Sequence, residues 1–120
     1  MLDPRMIEAN QQLRIFKVDS NLISEVPADI FKTCKDLEWV DLSRNVIAEI
    51  PEGLFSENAK VKDLILERNQ LKLLTSKQFQ GLSSLENLYL EHNSIEIVED
   101  DAFLESSQMH TITLNHREGR

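Results

Sequence analysis

Four consecutive blocks of 24 residues align without an insertion: LRIFKVDSNLISEVPADIFKTCKD at 13–36, LEWVDLSRNVIAEIPEGLFSENAK at 37–60, VKDLILERNQLKLLTSKQFQGLSS at 61–84 and LENLYLEHNSIEIVEDDAFLESSQ at 85–108. Leu13, Leu37, Val61 and Leu85 open the blocks, Phe16, Val40, Leu64 and Leu88 stand fourth, and Val18, Leu42, Leu66 and Leu90 stand sixth. The ninth position is Asn21, Asn45, Asn69 and Asn93. The eleventh is Ile23, Ile47, Leu71 and Ile95, and the fourteenth is Val26, Ile50, Leu74 and Val98. Phe31, Phe55, Phe79 and Phe103 take the nineteenth, which uses four of the five phenylalanines in the chain and excludes chance recurrence. A fixed period of this size means a solenoid, in which each coil buries its apolar side against its neighbours.

The blocks resemble the leucine-rich repeat, L-x-x-L-x-L-x-x-N-x-L, and the 24-residue length with a late phenylalanine resembles the subclass of extracellular receptors and secreted proteins. Residues 1–12 read as the end of a preceding repeat, with Leu2, Asp3 and Ile7 at positions fourteen, fifteen and nineteen. Residues 109–120 read as a partial, divergent fifth repeat: Met109, Ile112 and Leu114 fall on core positions, but Arg117 takes the place of the asparagine. The resemblance implies an α/β fold, a right-handed arc with a concave parallel sheet of about five short strands and a convex side of loops and short helical turns.

Elementary geometry leads to the same shape. A strand over the third to fifth positions sends the fourth residue inward and the third and fifth outward. Parallel strands need a crossover in every unit, supplied here by the rest of each block. Those crossovers are wider than a strand spacing of about 4.8 Å, so the stack bends with the sheet inside. A buried asparagine is costly unless hydrogen-bonded, and one recurring at a bend can satisfy its own and the adjacent coil, so Asn21, Asn45, Asn69 and Asn93 are read as a structural ladder. Phe31, Phe55, Phe79 and Phe103 are read as a buried aromatic spine. Cys34 shares an interior column with Leu82 and reads as a small buried hydrophobe.

Net charge is −8, with no clustered basic face, which argues against nucleic acid and anionic membrane as partners. The single cysteine permits no internal disulfide. No apolar run is long enough to span a bilayer. The three glycines are scattered at 53, 81 and 119, so no phosphate-binding loop exists, and no nucleophile–base motif occurs. The chain is therefore read as non-enzymatic and without a cofactor. His92 and His116 share one outward column near Glu91, but two imidazoles without a fixed third ligand do not make a metal site.

Function is thus expected in the outward strand columns. The third runs Ile15, Trp39, Asp63, Asn87, Thr111, and the fifth runs Lys17, Asp41, Ile65, Tyr89, Thr113. The only tryptophan and the only tyrosine both lie there, and such aromatics are frequent binding hot spots. Asp19, Ser43, Glu67 and Glu91 form the seventh column, and Ser20, Arg44, Arg68 and His92 the eighth, parallel stripes able to orient a partner. Ile15, Lys17, Trp39, Asp41, Arg44, Ile65, Glu67, Arg68, Tyr89, Glu91 and His92 are accordingly the expected partner-binding residues. The resemblance implies a protein ligand or co-receptor for an extracellular receptor, adhesion or secreted immune protein. The alternative is a set of spacer repeats within a larger array, possible also in the cytoplasm. Uncapped ends would allow end-to-end self-association.

Overall fold

The computed structural model describes residues 2, 3, 5, 7, 10–106, 109 and 111–113. Seven short strands follow in order: β1 (Ile15–Lys17), β2 (Trp39–Asp41), β3 (Asp63–Ile65), β4 (Leu73–Leu74), β5 (Asn87–Tyr89), β6 (Ile97–Val98) and β7 (Thr111–Thr113). β1, β2, β3, β5 and β7 form one five-stranded parallel sheet, and β4 and β6 pair separately. Register is one coil per strand: Phe16 faces Val40, Val40 faces Leu64, Leu64 faces Leu88, and Leu88 faces Ile112. The chain is a solenoid of parallel-sheet coils with very little helix.

Backbone bonds carry the ladder beyond the strands themselves. Val18, Leu42, Leu66 and Leu90 donate to the carbonyls of Asp41, Ile65, Tyr89 and Thr113 in the next coil. On the far side of the bend the direction reverses, and Val46, Gln70 and Ser94 donate back to Ile23, Ile47 and Leu71. The outer wall is made of successive turns, such as Ile30 to Pro27, Lys32 to Asp29 and Cys34 to Phe31 in one coil, repeated as Leu54 to Pro51, Ser56 to Gly53 and Asn58 to Phe55 in the next. Among the described residues these turns never join into an α-helix, because each bond spans three residues and the chain must advance to the next strand.

The core is the stack of matching columns. Phe31, Phe55 and Phe79 are fully buried, and Phe103 is half-buried against the same cluster. The rings of Phe31 and Phe55 stack at 5.9 Å, and Phe16 meets Phe31 edge-on at 5.2 Å. Leu2 and Ile7 close one end of this core. Ile112 sits on a core position in register with Leu88 but is 40% exposed, as the described residues place no coil beyond it. Leu114 and Arg117 lie outside the described residues.

One interior column, at the eighteenth position, was not anticipated, nor were the polar members Asn58 and Ser106 of the expected Cys34 and Leu82 column. Ile30, Leu54, Gln78 and Ala102 are buried at the eighteenth position of successive coils. Gln78 tolerates burial because its Oε1 accepts the N–H of Thr75 at 3.0 Å while Thr75 Oγ1 accepts the N–H of Gln78, a reciprocal capping box. In the column of Cys34 and Leu82, buried Asn58 donates from Nδ2 to the carbonyls of Phe31 and Cys34, tying the outer turns of adjacent coils. Ser106 Oγ donates to Leu82 in the same manner.

Candidate functional site

The asparagines shape the bend at the edge of the sheet. Asn45 Oδ1 accepts the N–H groups of Asn21 and Ile23 in the preceding coil, and its Nδ2 donates to Val18, Leu42 and Ser43. Asn69 and Asn93 repeat the arrangement toward Ile47 and Leu71. Asn21 is exposed, and among the described residues its Nδ2 bonds only to Val18 and Asp19 of its own coil. Immediately before each asparagine the backbone turns left-handed, with φ of 61° at Ser20, 57° at Arg44, 59° at Arg68 and 60° at His92. This conformation is uncommon outside glycine, and it throws the side chains of the eighth column outward along the rim of the sheet.

Between the rim and the opposite edge lies the outward face of the sheet. Register places Ile15 beside Trp39 and Ile65 beside Tyr89. Ile15 is 62% exposed and Trp39 38%, whereas Ile65 and Tyr89 are half-buried by their neighbours. Trp39 and Ile65 sit on adjacent strands offset by two residues, a diagonal of about 7–8 Å that joins the two apolar pairs. A shallow depression beside the first pair is lined by Arg14, Ile15, Glu38, Trp39, Lys62 and Asp63.

The polar residues of the face divide into bound and unbound groups. Asp41, expected to face solvent, is instead buried: its Oδ1 accepts from Ser43 N and Oγ at 3.0 and 2.6 Å, and its Oδ2 accepts from Lys17 Nζ at 3.3 Å. Ser43 is drawn in with it and is also buried. Lys17 bonds Asp19 as well, at 2.9 Å, which raises the Lys17 pKa and lowers that of Asp19. Beyond them Asn87 donates to Asp63 at 2.8 Å and Thr113 to Glu91 at 3.2 Å. Glu67, Arg44, Arg68 and His92 carry no ion pair among the described residues. His116 lies outside the described residues. Among those described, no group of three or more His, Cys, Asp or Glu side chains is arranged to hold a metal, and no helix is long and apolar enough to cross a membrane.

A multi-coil sheet surface of this kind offers an extended face for recognition. The sequence matches the Leucine rich repeat family over residues 11–71 and 59–117, and the chain belongs to that family. The family is a non-enzymatic protein-interaction scaffold. Among solved structures the chain is similar to one in the Drosophila Toll–Spatzle complex, a hub in development and innate immunity, at 25% identity and TM-score 0.91 over 95% of this chain and 15% of that one. It is similar also to a chain of the TLR13–ssRNA13 complex, at 29% identity and TM-score 0.74 over 82% of this chain and 14% of that one. The leucine-rich repeat domain of APL1B shares the fold at 22% identity and TM-score 0.82, over 96% of this chain and 35% of that domain. The chain thus spans only a small part of the receptors it resembles. No curated protein sequence matches it. The expectation, drawn from net charge, that nucleic acid is excluded is not supported, since one similar structure is a complex with single-stranded RNA.

Proposed function

We propose that the outward sheet face captures a protein partner, and that the chain works as part of an extracellular or cell-surface receptor-type protein without catalysis of its own. The observation that carries this reading is the registered placement of Ile15 with Trp39 and of Ile65 with Tyr89 on one open face. An apolar diagonal across four strands, exposed at Ile15 and Trp39 and half-exposed at Ile65 and Tyr89, is costly to leave in water, and aromatic side chains in such a patch supply much of the energy of an interface. Similarity to a chain of the Toll–Spatzle complex supports a protein ligand and a location outside the cell. Membership in a non-enzymatic scaffold family supports the absence of catalysis. Ile15, Lys17, Trp39, Ile65, Glu67, Tyr89 and Glu91 form the proposed contact surface, with Arg44, Arg68 and His92 along its rim and Asp41 bracing it from beneath.

Trp39→Ala and Tyr89→Ala test the reading. Each truncation is expected to weaken partner capture by about 2 kcal/mol or more while leaving the circular dichroism spectrum unchanged. Undiminished capture by both variants means that the face is elsewhere. The rival reading, spacer repeats inside a longer arc, is favoured by the 15% of the Toll-complex chain that this segment spans. It predicts that the segment alone captures nothing that the longer protein captures.

A further inference from the structure

We propose that the partner is a polypeptide that sets a basic side chain against the β3–β5 half of the sheet face and an apolar side chain at its Trp39 end, an inference that rests on the sheet face being the capture surface. The face is electrically lopsided. In its β1–β2 half the ammonium of Lys17 already bonds both Asp19 and Asp41. In its β3–β5 half the third, fifth and seventh positions carry Asp63, Glu67 and Glu91 and no cation, while Lys62 and Arg68 stand on the flanking positions without an ion pair to them among the described residues. None of these three carboxylates has an ion pair among the described residues; Asp63 and Glu91 accept only from the neutral groups of Asn87 and Thr113.

Three charges without counter-charges on a face with an apolar centre are a matching pattern for Lys or Arg. Glu67 follows Ile65 by two residues and Glu91 follows Tyr89 by two, so each lies on the same side of the sheet as the apolar pair. A cation set over Tyr89 meets both carboxylates and can also use the ring face. Arg44 and Arg68 stand one column outside, on the rim, which confines the negative field to the strand columns. The partner's cation must therefore be placed in register and not simply carried somewhere on its surface. A phosphate backbone lying on this face would meet the same carboxylates, so single-stranded RNA is the disfavoured occupant.

The test selects peptides from a random display library on the full chain. Parallel selections use an Asp63→Asn/Glu67→Gln/Glu91→Gln variant and a Trp39→Ala/Tyr89→Ala variant, with a single-stranded RNA oligonucleotide assayed beside them. Emission of the single tryptophan, Trp39, reports occupancy of the face in solution. Wild type is expected to enrich Lys or Arg close to an aromatic or aliphatic residue. Those peptides should bind the triple variant about tenfold or more weakly, since each exposed charge contact contributes roughly two- to fivefold. Replacing the peptide's basic residue by norleucine should give the same loss on the unaltered protein, independently of how the variants fold. Peptides without basic enrichment, or equal binding to the triple variant, overturn the proposal, as does RNA binding that shifts Trp39 emission and ignores the carboxylates. If binding still requires Trp39 and Tyr89 in that case, the capture surface stands and only the basic partner falls. Indifference to every one of these substitutions removes the capture surface as well.

Discussion

Asn69 reaches back one coil to Ile47: its Oδ1 accepts the buried Ile47 N–H at 3.0 Å, while its Nδ2 donates to Leu42, Leu66 and Glu67. The side chain therefore replaces the backbone partners that the bend removes. Asn69→Ala leaves the Ile47 donor orphaned in the interior, where one unsatisfied group costs about 1–3 kcal/mol. Asn21→Ala, at the exposed end of the ladder, removes only donor bonds within its own coil and should cost less than about 1 kcal/mol. Urea denaturation of the two variants, with an unchanged m-value, measures the difference.

Gly81 and Gly53 both adopt positive φ, at +98° and +79°, yet they are not equivalent. A Cβ at Gly81 would stand 2.5 Å from the Phe55 carbonyl oxygen and 2.8 Å from the Ser56 Cα, whereas a Cβ at Gly53 meets nothing within 4 Å. Gly53→Ala thus incurs only the left-handed strain of about 1–2 kcal/mol. Gly81→Ala adds a backbone clash between adjacent outer turns, which overpacking puts at a further ~1–3 kcal/mol. Thermal melts of the pair should separate them by several degrees, with Gly81→Ala the lower.

The interior of this solenoid was legible because its register equals its period. Once Phe31, Phe55, Phe79 and Phe103 fall 24 residues apart, stacking them requires no further information. What escaped were the apolar eighteenth column of Ile30, Leu54 and Ala102, which the repeat motif does not specify, and positions whose burial depends on a bond and not on residue type. Asn58 and Gln78 look like surface residues in sequence, and only their bonds to Phe31, Cys34 and Thr75 make them interior. The Thr75-x-x-Gln78 capping box was the one local signal that could have exposed this. The β4–β6 pair, two residues per strand, is too short for any alternation to show. On the sheet face the outward columns followed from a period of two, but nothing in sequence says that Asp41 is buried by its bonds to Ser43 and Lys17 while Glu67 has no ion pair among the described residues. Side-chain pairing one coil apart is a property of the stack and not of the string.

Cys34 is fully buried, and its carbonyl accepts from Asn58 at 2.9 Å. Burial pushes its thiol pKa above the ordinary 9.0, against a smaller opposing hydrogen bond with Thr33. A group with a raised folded pKa contributes its full stability below the unfolded value and loses it as pH climbs through the folded one. The unfolded thiol ionises first and draws the equilibrium toward the unfolded chain. The stability gap between wild type and Cys34→Ala should therefore be constant up to about pH 8 and narrow steadily above about pH 9. Denaturant midpoints across that range check it. Under native conditions at neutral pH the thiol should resist alkylation until urea unfolds the chain.

Arg68 combines a left-handed backbone, φ of 59°, with a side chain that is exposed and holds no ion pair among the described residues. An L-residue in that region carries roughly 1–2 kcal/mol of strain, and a β-branched one carries more. Its N–H must stay where it is, because it donates to the Glu91 carbonyl at 2.8 Å and continues the ladder past the strands. Arg68→Gly relieves the strain and costs unfolded-state entropy, for a net change expected between zero and about 1 kcal/mol of stabilisation. Arg68→Val should instead destabilise, by about 1 kcal/mol or more, although it removes the same charge. Opposite signs for the two substitutions, measured by urea unfolding, assign the effect to backbone conformation. Equal losses would instead trace it to the missing guanidinium.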